Sequence, residues 1–100
     1  MAAYVLGNET IHDQAKYEEY RSQVRPTLAQ YGGKVLSAGP IAEVLEGEPR
    51  ALAFVIEFES LERAKEWYVS PEYQAIIGLR QAASDGWLVL AREIQRPPAS

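Results

Sequence analysis

The chain has 100 residues, a formal net charge of −4, one histidine and no cysteine. This length predicts one domain, and the missing cysteines exclude disulfides, thiol nucleophiles and thiolate metal sites. The negative charge argues against a nucleic-acid-binding surface. No apolar run approaches the roughly 20 residues that cross a bilayer, and the N-terminus lacks a signal-peptide pattern, so we expect a soluble, cytoplasmic protein without membrane contact.

The first half of the chain predicts a strand followed by a long helix. Residues 3–11 have strand character, and Asp13 is placed to cap the next element. Apolar and aromatic residues then recur at steps of three and four, as on one face of an amphipathic helix. They are Tyr17, Tyr20, Val24, Leu28 and Tyr31. Pro26 predicts a kink in this helix, and Gly32-Gly33 predicts its end.

The second half predicts two strands, an interrupted helix and a last strand. Residues 34–45 form a strand broken at Gly39-Pro40, which suits an edge strand or a bulge, and residues 50–59 form the strongest strand. Ser60 is the expected helix cap, and Ser70-Pro71 should end that helix and begin another. Residues 84–86 close the second helix and residues 87–94 form the last strand. The domain therefore spans 1–95, followed by a flexible tail at 96–100.

The order β-α-β-β-α-β predicts a ferredoxin-like α+β fold, in which a four-stranded antiparallel sheet carries two helices on one face. The helices leave the other face uncovered. We expect that face to be apolar, with Val5, Ala53, Val55, Trp87 and Val89 on it. Because exposed apolar surfaces of this size are rare, a homodimer with face-to-face sheets is predicted.

Short motifs spread over nearly the whole chain resemble one protein family. They are Tyr31-Gly32-Gly33-Lys34 with Gly39, Val44-Leu45-Glu46-Gly47, Glu57-Phe58-Glu59-Ser60, the segment Trp67 to Gln74, Leu79-Arg80 and Ser84-Asp85. Together they resemble the DUF1330 family of the dimeric α+β barrel superfamily. The resemblance implies the ferredoxin-like fold and a homodimer, but no defined activity. The family often has proline where this chain has Glu59.

Two residues are candidates for catalysis. His12 lies where the first strand meets the first helix. Either the neighbouring Asp13 orients it as a general base, or it is a solvated residue at the strand end and Asp13 serves as the helix cap. Arg80 lies among apolar residues of the second helix. It either clamps a ligand carboxylate or enolate, or forms a structural ion pair with Glu57 or Asp85.

Aromatic residues are the candidates for ligand binding. Tyr17, Tyr20, Trp67 and Tyr68 could enclose a planar ligand between helices and sheet, or could simply form the core. Asn8 and Trp67 are similar in placement to residues of cofactor-free monooxygenases and haem-degrading enzymes of the same superfamily. The haem-binding members use a histidine on the second helix, which this chain lacks, so haem is not expected. No cofactor or metal motif is present.

Two functions of different classes remain open. One is a cofactor-independent enzyme of lyase, isomerase, cyclase or monooxygenase type, acting by proton transfer on a small aromatic or polyketide-like anion. The other is a non-catalytic binding or structural homodimer. The first rests on analogy with other members of the fold, and the sequence alone does not choose between them.

Overall fold

The computed structural model describes residues 1–94 and contains one antiparallel sheet with strand order β2-β3-β1-β4. The elements in chain order are β1 (Ala3–Ile11), α1 (Gln14–Gln30), β2 (Lys34–Pro40), β3 (Leu52–Phe58), α2 (Leu61–Val69), α3 (Pro71–Gln74), α4 (Ile77–Ala83) and β4 (Ser84–Arg92). The predicted ferredoxin-like α+β fold is confirmed. The tail predicted at 96–100 lies outside the described residues.

The helix boundaries follow the local sequence signals. The Asp13 and Ser60 side chains cap α1 and α2 by accepting backbone N–H groups, and Ser70 does the same for α3. Helix α1 includes Pro26 and ends in a Schellman arrangement at Gly32, whose φ of 76° suits glycine. The break at Ser70-Pro71 is confirmed. A second break, at residues 75–76 before α4, was not predicted.

Two strand boundaries differ from the prediction. Strand β2 ends at Pro40, not at Leu45, and it is an edge strand as expected. Its register shift lies between Val35 and Ser37, not at Gly39-Pro40, where the interruption was predicted. Strand β4 begins at Ser84, three residues earlier than predicted, because residues 84–86 pair with the end of β1. The prediction placed Gly86 in the segment that ends the second helix, because Ser84, Asp85 and Gly86 are typical turn residues. A Cβ there would lie 2.1 Å from the Asn8 carbonyl oxygen, so the close pairing itself requires glycine.

Side chains that alternate along the strands give the sheet one face that is covered by the helices and one uncovered face, which we call the open face. Val5 is 1% exposed, lies opposite Ile56 and faces the helices, so its predicted place on the open face is wrong. Leu6 and Val55 are opposite each other on the open face, where Trp87 and Val89 of β4 are both close to half exposed. The uncovered face is therefore apolar, as expected.

Aromatic residues from α1, α2 and α3 form the centre of the core. Trp67 and Tyr73 are at most 1% exposed, and their ring centroids are 4.1 Å apart. Phe58 of β3 packs against Trp67 at 5.6 Å. Within residues 1–94, no helix combines the length and hydropathy needed to cross a membrane.

Candidate functional site

A carboxylate that sequence reasoning overlooked lies at the centre of the structure. Glu9 of β1 is 1% exposed and faces the helices. Its Oε1 accepts a hydrogen bond from the Tyr17 hydroxyl at 3.1 Å, and its Oε2 accepts one from Arg80 Nη1 at 3.1 Å. The Ser84 hydroxyl lies 2.7 Å from Oε2. Because both oxygens have partners, the buried charge is compensated.

Arg80 extends this network across the helix layer. Its Nε donates to the Tyr73 hydroxyl at 3.2 Å, and that hydroxyl lies 3.0 Å from the Tyr20 hydroxyl. The predicted partners of Arg80 were wrong. Glu57 lies on the open face of the sheet opposite Lys34 and Tyr4, Asp85 is exposed, and the partner is Glu9.

The hydrogen atoms of the two linked phenols can be assigned. Since Arg80 Nε already donates to Tyr73 Oη, the Tyr73 hydroxyl needs an acceptor for its own hydrogen. Tyr20 Oη is the acceptor that residues 1–94 provide, and Tyr73 is fully buried. If Tyr20 donated instead, the Tyr73 hydrogen would be left unpaired. Tyr73 therefore donates to Tyr20, and the Tyr20 hydrogen remains available to another acceptor.

Burial and neighbouring groups keep these side chains in their usual protonation states. Burial raises the pKa of Tyr17 and of Tyr20 well above the ordinary value, and the Glu9 carboxylate raises the pKa of Tyr17 further. Burial lowers the pKa of Arg80, but Tyr73 and Glu9 outweigh that effect and the net shift is upward. At neutral pH the two phenols are therefore hydrogen-bonding groups and not bases.

A cleft of about 650 Å³ lies on the other side of α1, between this helix and the β2–β3 half of the sheet; we call it the α1–β3 cleft. The helix contributes Tyr17, Tyr20, Val24 and Leu28 to its walls. The sheet contributes mostly apolar residues, namely Val35, Ala38, Leu52, Phe54 and Ile56. Of the sequence-predicted ligand residues, Tyr17 and Tyr20 line it. Its volume and apolar walls are typical of small-molecule sites.

The charged residues that line the cleft have one sign. They are Arg21 and Arg25, which lie one turn apart on α1, and none of the Asp and Glu residues within 1–94 lines the cleft. The Arg21 guanidinium contacts Glu18 at 2.9 Å and lies 5.3 Å from the centre of the Tyr17 ring. Arg25 is exposed and has no ion pair or side-chain hydrogen bond within residues 1–94. A positive potential is thus expected on the solvent side of a largely apolar cavity.

Asn8 is buried beside the base of the loop that joins β2 to β3. Its amide nitrogen donates to the carbonyl oxygens of Arg50 and Leu52, and its Oδ1 accepts from the Arg50 backbone N–H. All its strong hydrogen-bonding positions are therefore used by backbone, and it does not line the cleft. This geometry anchors the loop at residues 41–51, whose first and last residues are joined by a backbone hydrogen bond of 2.8 Å.

His12 and the aromatic pair of α2 also lie outside the cleft. The His12 side chain is 48% exposed, and its Nε2 is 3.6 Å from Asp85 Oδ2. Trp67 is in the core, where its Nε1 donates to Thr27 Oγ1 at 3.0 Å, whereas Tyr68 is partly exposed. The structure thus groups Tyr17, Tyr20 and Arg80 through Glu9 and Tyr73, and it separates them from His12, Asn8, Trp67 and Tyr68.

One sequence signal could have revealed Glu9. The odd-numbered residues of β1 are Ala3, Val5, Gly7, Glu9 and Ile11. A glutamate in phase with apolar and small residues is expected to point into the core. An arginine among apolar helix residues, here Arg80, is then its natural partner. By contrast, no local pattern marks Arg21 and Arg25, which look like ordinary surface residues of an amphipathic helix.

Comparison with solved structures finds several similar chains. A protein of unknown function from Rhodopseudomonas palustris has 22% identity and a TM-score of 0.80, over 95% of this chain and 84% of that one. A dimeric ferredoxin-like protein of unknown function from Jannaschia sp. CCS1 has 14% identity and a TM-score of 0.76, over 93% and 100%. SnoaB, a cofactor-independent oxygenase from Streptomyces nogalater, has 13% identity and a TM-score of 0.69, over 98% of both chains. At such identities the likeness shows a shared fold.

Sequence comparison gives a more specific result. No curated protein matches the chain. The model of the DUF1330 family, described as a domain of unknown function, matches residues 2–94, as the motifs around Gly32-Gly33 and Ser70-Pro71 predicted. The chain therefore belongs to the DUF1330 family.

Proposed function

We propose that this protein binds a small, largely apolar molecule in the α1–β3 cleft of each subunit of a homodimer. The observation that carries the binding proposal is the cleft itself: about 650 Å³ with mostly apolar walls, in a chain of only 100 residues. Volumes of roughly 300–1,000 Å³ suit small-molecule ligands. The lining that residues 1–94 provide contains neither histidine nor carboxylate, which favours binding over acid–base catalysis within the cleft.

Blocking the cleft tests the binding proposal. Ala38 lines the cleft from the exposed edge strand β2, so Ala38→Trp should fill the cavity while the fold is kept. The neutral fluorescent probe N-phenyl-1-naphthylamine should bind the wild type at one site per chain, and its affinity should fall at least about tenfold in the variant. Ala29→Trp is the matched control, because Ala29 is exposed on α1 outside the cleft. Equal probe affinity in all three proteins would refute a ligand site in this cleft.

The homodimer part of the proposal rests on the open sheet face. Leu6, Val55, Trp87 and Val89 lie on it, and the similar Jannaschia protein is described as dimeric. Val55→Glu would place an uncompensated charge at the centre of the interface. Sedimentation equilibrium at micromolar concentration should give twice the chain mass for the wild type and the monomer mass for the variant. A monomeric wild type would refute the dimer.

Cofactor-independent proton-transfer chemistry is the second candidate function. It is supported by the hydrogen bond between Tyr17, which lines the cleft, and the buried Glu9, because a carboxylate is then one phenol away from a bound ligand. The similar fold of SnoaB, an oxygenase without cofactor, is compatible with it. Oxygen uptake with polycyclic phenols, measured for wild type and Tyr17→Phe, tests this candidate. It requires turnover in the wild type that falls about 10²-fold or more in the variant.

A further inference from the structure

The positively charged residues of the cleft indicate which class of ligand it binds, an inference that rests on the proposed binding function. Arg21 and Arg25 are four positions apart, so they lie on the same side of α1, and both line the α1–β3 cleft. No acidic residue of the described part of the chain lines the cleft, although the whole chain has a formal charge of −4. The charge of this cleft is therefore opposite to that of the protein as a whole.

The two arginines differ in how much of their hydrogen-bonding capacity is in use. Arg21 shares its guanidinium with Glu18 and lies over the Tyr17 ring. Arg25 makes no ion pair or side-chain hydrogen bond with the part of the chain that the structure describes. A guanidinium presents five N–H donors in a planar fork that matches a carboxylate or similar oxyanion.

The two tyrosines that line the cleft are compatible with an anionic ligand. Tyr17 and Tyr20 are uncharged at neutral pH, because burial and their neighbours raise both pKa values, so they do not repel an anion. The buried cation Arg80 is already neutralised by Glu9 and hydrogen-bonded to Tyr73. It has no free charge to offer a ligand. Of the two roles that the sequence left open for Arg80, a ligand clamp and a structural ion pair, its contact with Glu9 favours the ion pair.

We propose that the α1–β3 cleft selects amphipathic organic anions, with an aromatic or alicyclic body among the apolar walls and a carboxylate or sulfonate at Arg25, assisted by Arg21. Arg25 contributes more than Arg21, because Arg21 must give up its contact with Glu18 and Arg25 has no such contact to lose within the described chain. The contact is charge-assisted and therefore weakens as salt screens it.

A matched pair of probes isolates the charge. The anion 1-anilinonaphthalene-8-sulfonate and the neutral N-phenyl-1-naphthylamine have the same ring system and differ by one sulfonate. We expect the wild type to bind the anion about tenfold more tightly at low salt, and Arg25→Gln to remove this preference while leaving the affinity for the neutral probe unchanged. Arg21→Gln should reduce the preference less. Arg92→Gln, on β4 outside the cleft, is the control of equal charge change and should have no effect.

The outcomes separate this inference from the binding proposal. If the neutral probe binds and Ala38→Trp blocks it, but the anion has no preference or keeps its preference in Arg25→Gln, the anion inference is overturned and the cleft remains a ligand site. If neither probe binds, or neither is affected by Ala38→Trp, both proposals fail. Loss of the preference in Arg25→Gln but not in Arg92→Gln, together with blockage by Ala38→Trp, supports both proposals.

Discussion

The two halves of the layer between sheet and helices differ in how their polar groups are used, although α1 contributes to both. Beneath α3 and α4, Glu9, Arg80, Tyr73 and Ser84 satisfy one another and are buried. Beside β2 and β3, Arg25 of helix α1 lies above apolar walls and has no partner among residues 1–94. We call the first half the closed half, because its polar groups bond to one another, and the second half the open half, because its arginine is exposed at a cleft.

This difference separates structural from functional readings of similar residues. A buried, fully paired arginine is needed to keep its partner's charge compensated, so changing it mainly alters stability. An exposed arginine above an apolar cleft adds little to stability, so changing it should mainly alter binding. Tyr17 and Tyr20 belong to both halves, because their hydroxyls join the buried network while their side chains line the cleft.

The largest expected effect on the free energy of unfolding comes from a substitution in the closed half. Glu9→Ala should lower the free energy of unfolding by about 3–5 kcal/mol, because Arg80 is then left buried without a counter-charge. Urea unfolding of the variant measures this loss. The double variant Glu9→Leu with Arg80→Met, which removes both charges, should recover most of it. Glu18→Ala, which removes an exposed carboxylate, should change stability by less than about 0.5 kcal/mol. A similar loss of stability in Glu9→Ala and Glu18→Ala would contradict the view that the buried network depends on the Glu9 charge.

A smaller loss of stability is expected at Asn8, which holds the loop between β2 and β3 from the uncovered side of the sheet. Asn8→Ala should lower the free energy of unfolding by about 1–3 kcal/mol, because it removes the bond to the buried Leu52 carbonyl and both bonds to the partly buried backbone of Arg50. The rate of amide hydrogen exchange in residues 41–51 should rise in the same variant. Thr10→Ala removes only an exposed contact with Arg50 and serves as the control. Unchanged exchange in the loop would rule out Asn8 as its anchor.

Alkaline pH should weaken the closed half through its phenols. The pKa of Tyr17 is raised above its ordinary value of 10.0 in the folded chain, first by burial and then by Glu9. The folded state therefore holds this proton more tightly than the unfolded state, so its stabilising contribution is complete below pH 10 and is lost as the pH rises further. The expected slope is about 1.4 kcal/mol per pH unit per phenol. Stability measured from pH 8 to 11 should fall less steeply for Tyr17→Phe, and Tyr68→Phe is the control. Identical slopes in wild type and Tyr17→Phe would contradict this assignment.

The smallest effect on stability should come from the open half. Arg25→Gln and Ala38→Ser should each change the free energy of unfolding by less than about 0.5 kcal/mol, since both positions are exposed. Urea unfolding beside Glu9→Ala gives the comparison directly. A loss above about 2 kcal/mol for either variant would show that the cleft residues are part of the stabilising core.

Local signals in the sequence predicted most of the architecture. The aromatic period of α1, the caps at Asp13 and Ser60, the glycine at position 32 and the Ser70-Pro71 break depend on neighbours within a few residues, so the chain itself reveals them. The family motifs are local for the same reason. Boundaries were wrong where a distant strand decided them, as for β4, whose first residues look like a turn until their pairing with β1 is known.

The tertiary structure alone decided the partners within the candidate site. Glu9 and Arg80 are 71 residues apart, and the cleft is formed by a helix and two strands that meet only in the folded chain. Residue type and spacing identified Tyr17, Tyr20 and Arg80 as notable, but not which were already satisfied by other groups. That depends on distances across the fold. A single sequence reports periodicity along one element, whereas the pairing of charges and the shape of a cavity arise from packing between elements.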